Sequence, residues 1–145
     1  MWETVSGDVG RLRVGFTNAS TLSPLFPRLI HAYRTQRPKV NITPLELSSS
    51  LQIEAIEQRA IDVGLLRLPQ TALPADVVFT PLMEEPLVLA MHAGHRLAKA
   101  ASIKLKVVFR HLDETDTVTT LYIAHRYRDA NARAMQFVEL ALGLR

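Results

Sequence analysis

The order in which the hydrophobic period changes over the first 66 residues constrains the fold most. Residues 11–17, Arg-Leu-Arg-Val-Gly-Phe-Thr, alternate polar and apolar at the period of a strand. Leu22, Leu25, Phe26, Leu29, Ile30 and Tyr33 then recur in steps of three and one, which puts them on one face of a helix. Ser23 suits the N-cap of that helix and Pro24 its first position, while Pro27 falls where a missing N–H matters little. A basic last turn and Pro38 close it. Val40 to Leu47 reads as a second strand, at a sheet edge or a bulge because Pro44 cannot donate to a ladder. Ser49 and Gln52 have capping-box spacing at the start of a second helix, whose buried stripe is Ile53, Ile56 and Ala60. Ile61 to Leu66 is mostly apolar, as a central parallel strand should be. This alternation predicts an α/β layered domain with a largely parallel sheet.

Beyond residue 66 the pattern is less regular. Val77 to Leu82 and Pro86 to Met91 read as two extended runs. Val107 to Phe109 and Thr119 to Ala124 read as strands separated by an acidic turn holding Asp113, Glu114 and Asp116. Ala134, Phe137, Val138, Ala141 and Leu142 mark a closing amphipathic helix that ends near Gly143. A chain of 145 residues with 48% hydrophobic residues can bury a core without a disulfide or structural metal. With no cysteine, disulfide scaffolds, zinc knuckles, iron–sulfur sites and cysteine nucleophiles are excluded. No apolar stretch approaches the roughly 20 residues of a membrane span. Residues 1–10 read as a lead-in without the apolar core of a signal peptide, so a cytoplasmic location is expected. The net charge is +3, but the arginines scatter from Arg11 to Arg145. Even the densest group, Arg126, Arg128 and Arg133, is interrupted by Asp129, so a solvated face is expected rather than a nucleic-acid surface.

Two hydroxyl-rich segments stand just before helices. The turn after the first strand carries Thr17, Asn18, Ser20, Thr21 and Ser23, and Ser48 to Ser50 open the second helix. Helix starts present free N–H groups and positive dipole ends, and in a doubly wound sheet both segments lie at the carboxyl ends of neighbouring strands, where ligands bind. A carboxylate or phosphate would suit them, although N-capping alone accounts for either cluster. Arg67, at the end of the third strand, is the best-placed counter-ion. His92 and His95 stand three apart but lack a further ligand, since Glu84 and Glu85 precede a strand, and no metal is expected. His31, His111 and His125 read as surface or capping residues. Nucleophile-elbow, Walker and dinucleotide-binding glycine patterns are missing, so neither enzyme activity nor a cofactor is expected.

Gly10-Arg-Leu-Arg-Val-Gly-Phe-Thr, Phe26-Pro27-Arg28, Arg37-Pro38-Lys39-Val40, Ser49-x-x-Gln52, Ile61-Asp62-Val63-Gly64-Leu65, Glu85-Pro86-Leu87-Val88 and Gly94-His95-Arg96-Leu97-Ala98 occur in this order. Over residues 10–98 this resembles the effector-binding domain of LysR-type transcriptional regulators, and Val107 to Arg110, Leu121 to Ala124 and the closing helix are similar to its tail. The resemblance implies one lobe of a type 2 periplasmic-binding-protein-like (flavodoxin-like) domain. That lobe has three layers, a five-stranded, mostly parallel sheet with helices on both faces. It also implies a small organic anion, such as an aromatic carboxylate, held against the positions matching Asn18, Ala19, Ser20, Thr21 and Ser49, with Arg67 a looser match. Effector binding would shift populations and so alter transcription. Residues 11–145 then form lobe I. The family's second lobe is missing at about 104–107, and its helix-turn-helix, through which DNA would be engaged, is not in the chain. Half a cleft implies weak effector binding. The uncovered surface implies a homo-oligomer, a dimer by expectation, without a membrane partner. The alternatives are a lobe of a transport-type solute-binding protein and a flavodoxin-like enzyme or receiver domain, for which Asp62 alone is not enough.

Overall fold

Strand β1 (Gly10–Phe16) has β2 (Val40–Glu46) parallel on one side and β3 (Val63–Leu66) parallel on the other. β4 (Val77–Pro86) and β5 (Val118–Arg126) complete a five-stranded sheet in the order β2-β1-β3-β5-β4, with β5 antiparallel to β3. The helices are α1 (Leu25–Gln36), α2 (Ser49–Glu57) and α3 (Ala132–Leu144), and a 3-10 helix spans Asn18–Leu22. The computed structural model describes residues 9–86, 91–99, 118–128 and 130–145. The expected strand at 107–109, the acidic turn, His111, the seam at 104–107 and most of the run at 86–91 lie outside them. Among the described residues no helix is long and apolar enough to cross a membrane.

Two apolar clusters give the three layers. Leu12, Val14, Val63, Leu65 and Ile123 meet Leu25, Leu29 and Tyr33 of α1 and Phe137, Val138 and Ala141 of α3 on one face. Tyr33 packs edge-on to Phe137 at 5.3 Å and donates its hydroxyl to the Arg133 carbonyl at 3.2 Å. On the other face Ile53 and Ile56 of α2 meet Ile61, Leu66, Val77 and Ala124. β2 stands at the sheet edge, as Pro44 requires. The chain divides into Met1–Met83 with Thr120–Arg145, which holds both clusters, and Glu84–Thr119. In the second unit the His92 and His95 rings accept from the Gly94 and Leu97 N–H groups at 2.9 and 3.2 Å, local turn bonds.

Local details depart from the sequence pattern. Leu22 is 86% exposed and belongs to the 3-10 helix, because Ser23 and Pro24 break the stripe before α1 begins. Ser23 is extended and its Oγ accepts from the Leu25 N–H at 3.3 Å, while Pro24 already has helical dihedrals. Ser23 therefore caps α1, as expected. The capping box at Ser49 is not formed. The Gln52 N–H bonds the Ser48 carbonyl, the Ser48 hydroxyl accepts from Leu51, and the Gln52 side chain turns into the protein interior. Ala60 is exposed, since α2 ends at Glu57 in a Schellman motif: Arg59 N–H bonds Ile56 and Ala60 N–H bonds Ala55, with Arg59 left-handed at φ 61°. His125 is buried on β5 rather than at the surface. β4 runs unbroken through Met83–Glu85, where a break between two runs is expected from sequence.

A row of small residues, Gly15, Gly64 and Ala124, pairs across β1, β3 and β5. An added Cβ at Gly64 would come within 2.6 Å of Gln52 Oε1. Gly64→Ala should therefore destabilise the fold by roughly 1–3 kcal/mol. Gly143→Ala, with nothing within 4 Å, should instead stabilise α3 by up to about 1 kcal/mol. Urea denaturation of the two variants should move the midpoint in opposite directions.

Candidate functional site

The carboxyl ends of β1, β2 and β3 share one edge because the three strands are parallel. Beyond Phe16 the chain leaves the sheet, so the Leu65 carbonyl of β3 loses its neighbouring strand there. Two side chains take it up. The Ser20 hydroxyl donates to Leu65 O at 3.1 Å, and the Gln52 amide donates to the same oxygen at 3.2 Å. The Gln52 Nε2 also donates to the Leu47 carbonyl at 3.0 Å, so one fully buried amide joins the ends of β2 and β3 across β1. Its Oε1 is buried without a conventional partner, and the positions a Cβ would take on Gly64 and Gly15 lie 2.6 and 3.1 Å from it. Cα–H groups of both glycines thus face that oxygen, a weak hydrogen-bond environment that only glycine can supply.

The 3-10 helix is held by its own box. Thr17 Oγ1 accepts from the Ser20 N–H at 3.1 Å, Ser20 Oγ accepts from the Thr17 N–H at 3.2 Å, and the two hydroxyls lie 2.6 Å apart. Ser20 is completely buried and its hydroxyl is saturated. Ser20, expected from sequence to contact an anion, is therefore a support of the turn. Asn18, Ala19 and Thr21 are exposed, with the Thr21 hydroxyl donating to the Asn18 carbonyl at 2.6 Å. Ser49 stands half-buried in the first turn of α2, behind the cap formed by Ser48. Arg67 follows β3 directly and is also half-buried. The structure thus gathers the turn at Asn18–Thr21, Ser49 and Arg67 at one edge and turns Ser20 inward. Leu22, Leu51 and Leu68 are exposed apolar groups on the same three segments.

Gln52 is the residue that sequence reasoning reduced to a cap. The signal for its true role was present in Gly15 and Gly64, two glycines in otherwise apolar strands, which mark a close approach over the sheet. Among the described residues, cavities of about 240 and 250 Å³ open elsewhere, one at the opposite end of the parallel strands around Arg13 and Asp62 and another between α1 and α3. Ser20→Ala removes a buried hydroxyl that serves three groups and should lower stability by roughly 1–2 kcal/mol, whereas the exposed Thr21→Ala should stay within about 0.5 kcal/mol. Equilibrium denaturation of both variants checks the contrast.

The family model described as LysR substrate binding domain matches residues 6–111. The chain is 40% identical over 86 residues to the HTH-type transcriptional regulator BenM of Acinetobacter baylyi, covering 59% of this chain and 27% of BenM. The structure of the BenM effector binding domain with its effector benzoate superposes with a TM-score of 0.72 at 20% identity, over 93% of this chain and 91% of that one. Full-length CbnR complexed with its target DNA gives a TM-score of 0.70 at 15% identity, over 97% of this chain and 70% of that one. The curated relatives are transcriptional regulators, and the chain spans about a third or less of their length.

Proposed function

The chain belongs to the LysR substrate-binding domain family, and on that premise we propose that it senses a small organic anion at the carboxyl edge of β1, β2 and β3. The observation that carries the reading is the Leu65 carbonyl knot. Ser20 and Gln52, both buried and both bonded to Leu65, hold two hydroxyl-bearing segments rigidly at the ligand-binding edge of a parallel sheet. Asn18 and Thr21 present polar groups from the first segment, and Ser49 stands at the positive end of α2. Arg67 supplies charge of the right sign, and Leu22, Leu51 and Leu68 give the same edge an apolar wall. A carboxylate on an aromatic ring answers both halves of that surface, and BenM is a relative whose effector is benzoate.

The chain corresponds to one lobe, residues 11–145 after a lead-in, with the second lobe lost at about 104–107. What supports this is the antiparallel return of β5 beside β3 within the same sheet. DNA would be engaged through a helix-turn-helix outside this chain, in the cytoplasm. With one wall of the cleft missing, affinity is low, because tight ligands are buried on most sides. Calorimetric titration with benzoate should give weak but saturable binding, weakened about fivefold or more in Ser49→Ala. Equal behaviour of the two proteins would remove Ser49 from the site. A homodimer is proposed for the fragment, because its exposed leucines favour association. Light scattering at high concentration checks this, and a monomer throughout would refute it.

A further inference from the structure

At the sheet edge opposite the effector turns, a cavity of about 240 Å³ is lined by Arg13, Arg59, Asp62, Arg126 and the start of α3 at Asn131 and Ala134. Among the described residues that wall holds three guanidinium groups and one carboxylate. The carboxylate is engaged: Asp62 accepts from the Arg13 N–H at 2.7 Å, from Arg13 Nε and Nη2 at 3.2 and 3.0 Å, and from Asn131 Nδ2 at 3.3 Å. Arg126 Nη1 donates to the Glu57 and Ile56 carbonyls at 2.7 and 3.3 Å, while its Nε is buried with no hydrogen-bond partner. α3 turns its positive end to the same space.

Arg59 adds an independent observation. It occupies the left-handed position of the Schellman motif ending α2, at φ 61°, where glycine carries no steric penalty. Its side chain lines the same cavity and adds a guanidinium to that wall. We propose that this cavity binds a small dianionic oxyanion, a phosphate or a dicarboxylate, between Arg59, Arg126 and the N-terminus of α3. The site is separate from the effector edge: Ser48 and Ser49 stand at the start of α2, and Arg59 follows its other end. Its anion would bridge the end of α2 to the start of α3, which lie on opposite faces of the sheet.

Titration of this chain with inorganic phosphate and, separately, with succinate, at an ionic strength fixed by sodium chloride, tests the proposal. Saturable binding of at least one is expected, and the preferred anion tells the phosphate source from the dicarboxylate source. Arg59→Gly should weaken it by about tenfold or more while leaving the thermal midpoint unchanged or higher, because glycine relieves the left-handed strain. Arg59→Gln, which keeps that strain, should weaken it equally, and Ser49→Ala should leave it unchanged. The proposal is overturned if neither dianion binds above the chloride background, or if both Arg59 variants bind like the parent. Loss of benzoate binding with retention of dianion binding, or the reverse, separates this site from the effector edge.

Discussion

The Gln52 side chain is the contact on which the arrangement of the parallel strands' ends depends. One amide donates to the Leu47 and Leu65 carbonyls and so closes the gap left where β1 ends between β2 and β3. Burying such a group is costly unless its donors are used, and here both bonds run to backbone carbonyls at the strand ends, the one at Leu65 shared with the Ser20 hydroxyl. The same amide leaves no room for a Cβ at Gly64, and at Gly15 a Cβ would crowd Ile61 as well as Gln52, so α2 packs close over the sheet. Helix position and strand-end geometry thereby meet at one residue, and Ser20 ties the turn to the same Leu65 carbonyl.

α2 has chemically different ends. Its start carries Ser48 and Ser49 and a positive dipole, beside the turn that Ser20 anchors to β3. Its carbonyl end is capped by Arg126 from β5. The Arg13–Asp62 pair ties β1 to the residue just before β3 at that edge, through a backbone N–H as well as both side chains. The Asp62 hydrogen bond raises Arg13 further above its already high range, against the opposing effect of partial burial, so the guanidinium stays charged wherever the fold exists. One end of the parallel strands is thus rich in hydroxyls with Arg67 beside them, while the other gathers Arg13, Arg59 and Arg126 around Asp62.

Much of the fold is legible in local pattern. The buried stripe Leu25, Leu29, Tyr33, the edge strand with Pro44 and the apolar β3 follow from period and from the missing donor of proline. The candidate edge follows as well, because parallel strands force the turns after β1 and β2 to the same side. Less legible were boundaries. Leu22 fits the helical period yet lies 86% exposed, since period does not register the break at Ser23 and Pro24. Ser49 and Gln52 satisfy capping-box spacing, but a buried acceptor on β3 competed for the glutamine and won.

Over the first 66 residues the sequence by itself determined the order of strands and helices and the parallel core of the sheet, and its motifs pointed to the family. Each of these rests on hydrophobic periods and motifs within a few residues of one another. Only the tertiary structure decided which hydroxyl faces inward and which charges converge. Ser20 meets a carbonyl 45 residues away, Arg13 a carboxylate 49 away and Arg126 a carbonyl 69 away. Hydrogen bonds of such reach exist only once the strands are paired, so no local pattern encodes them.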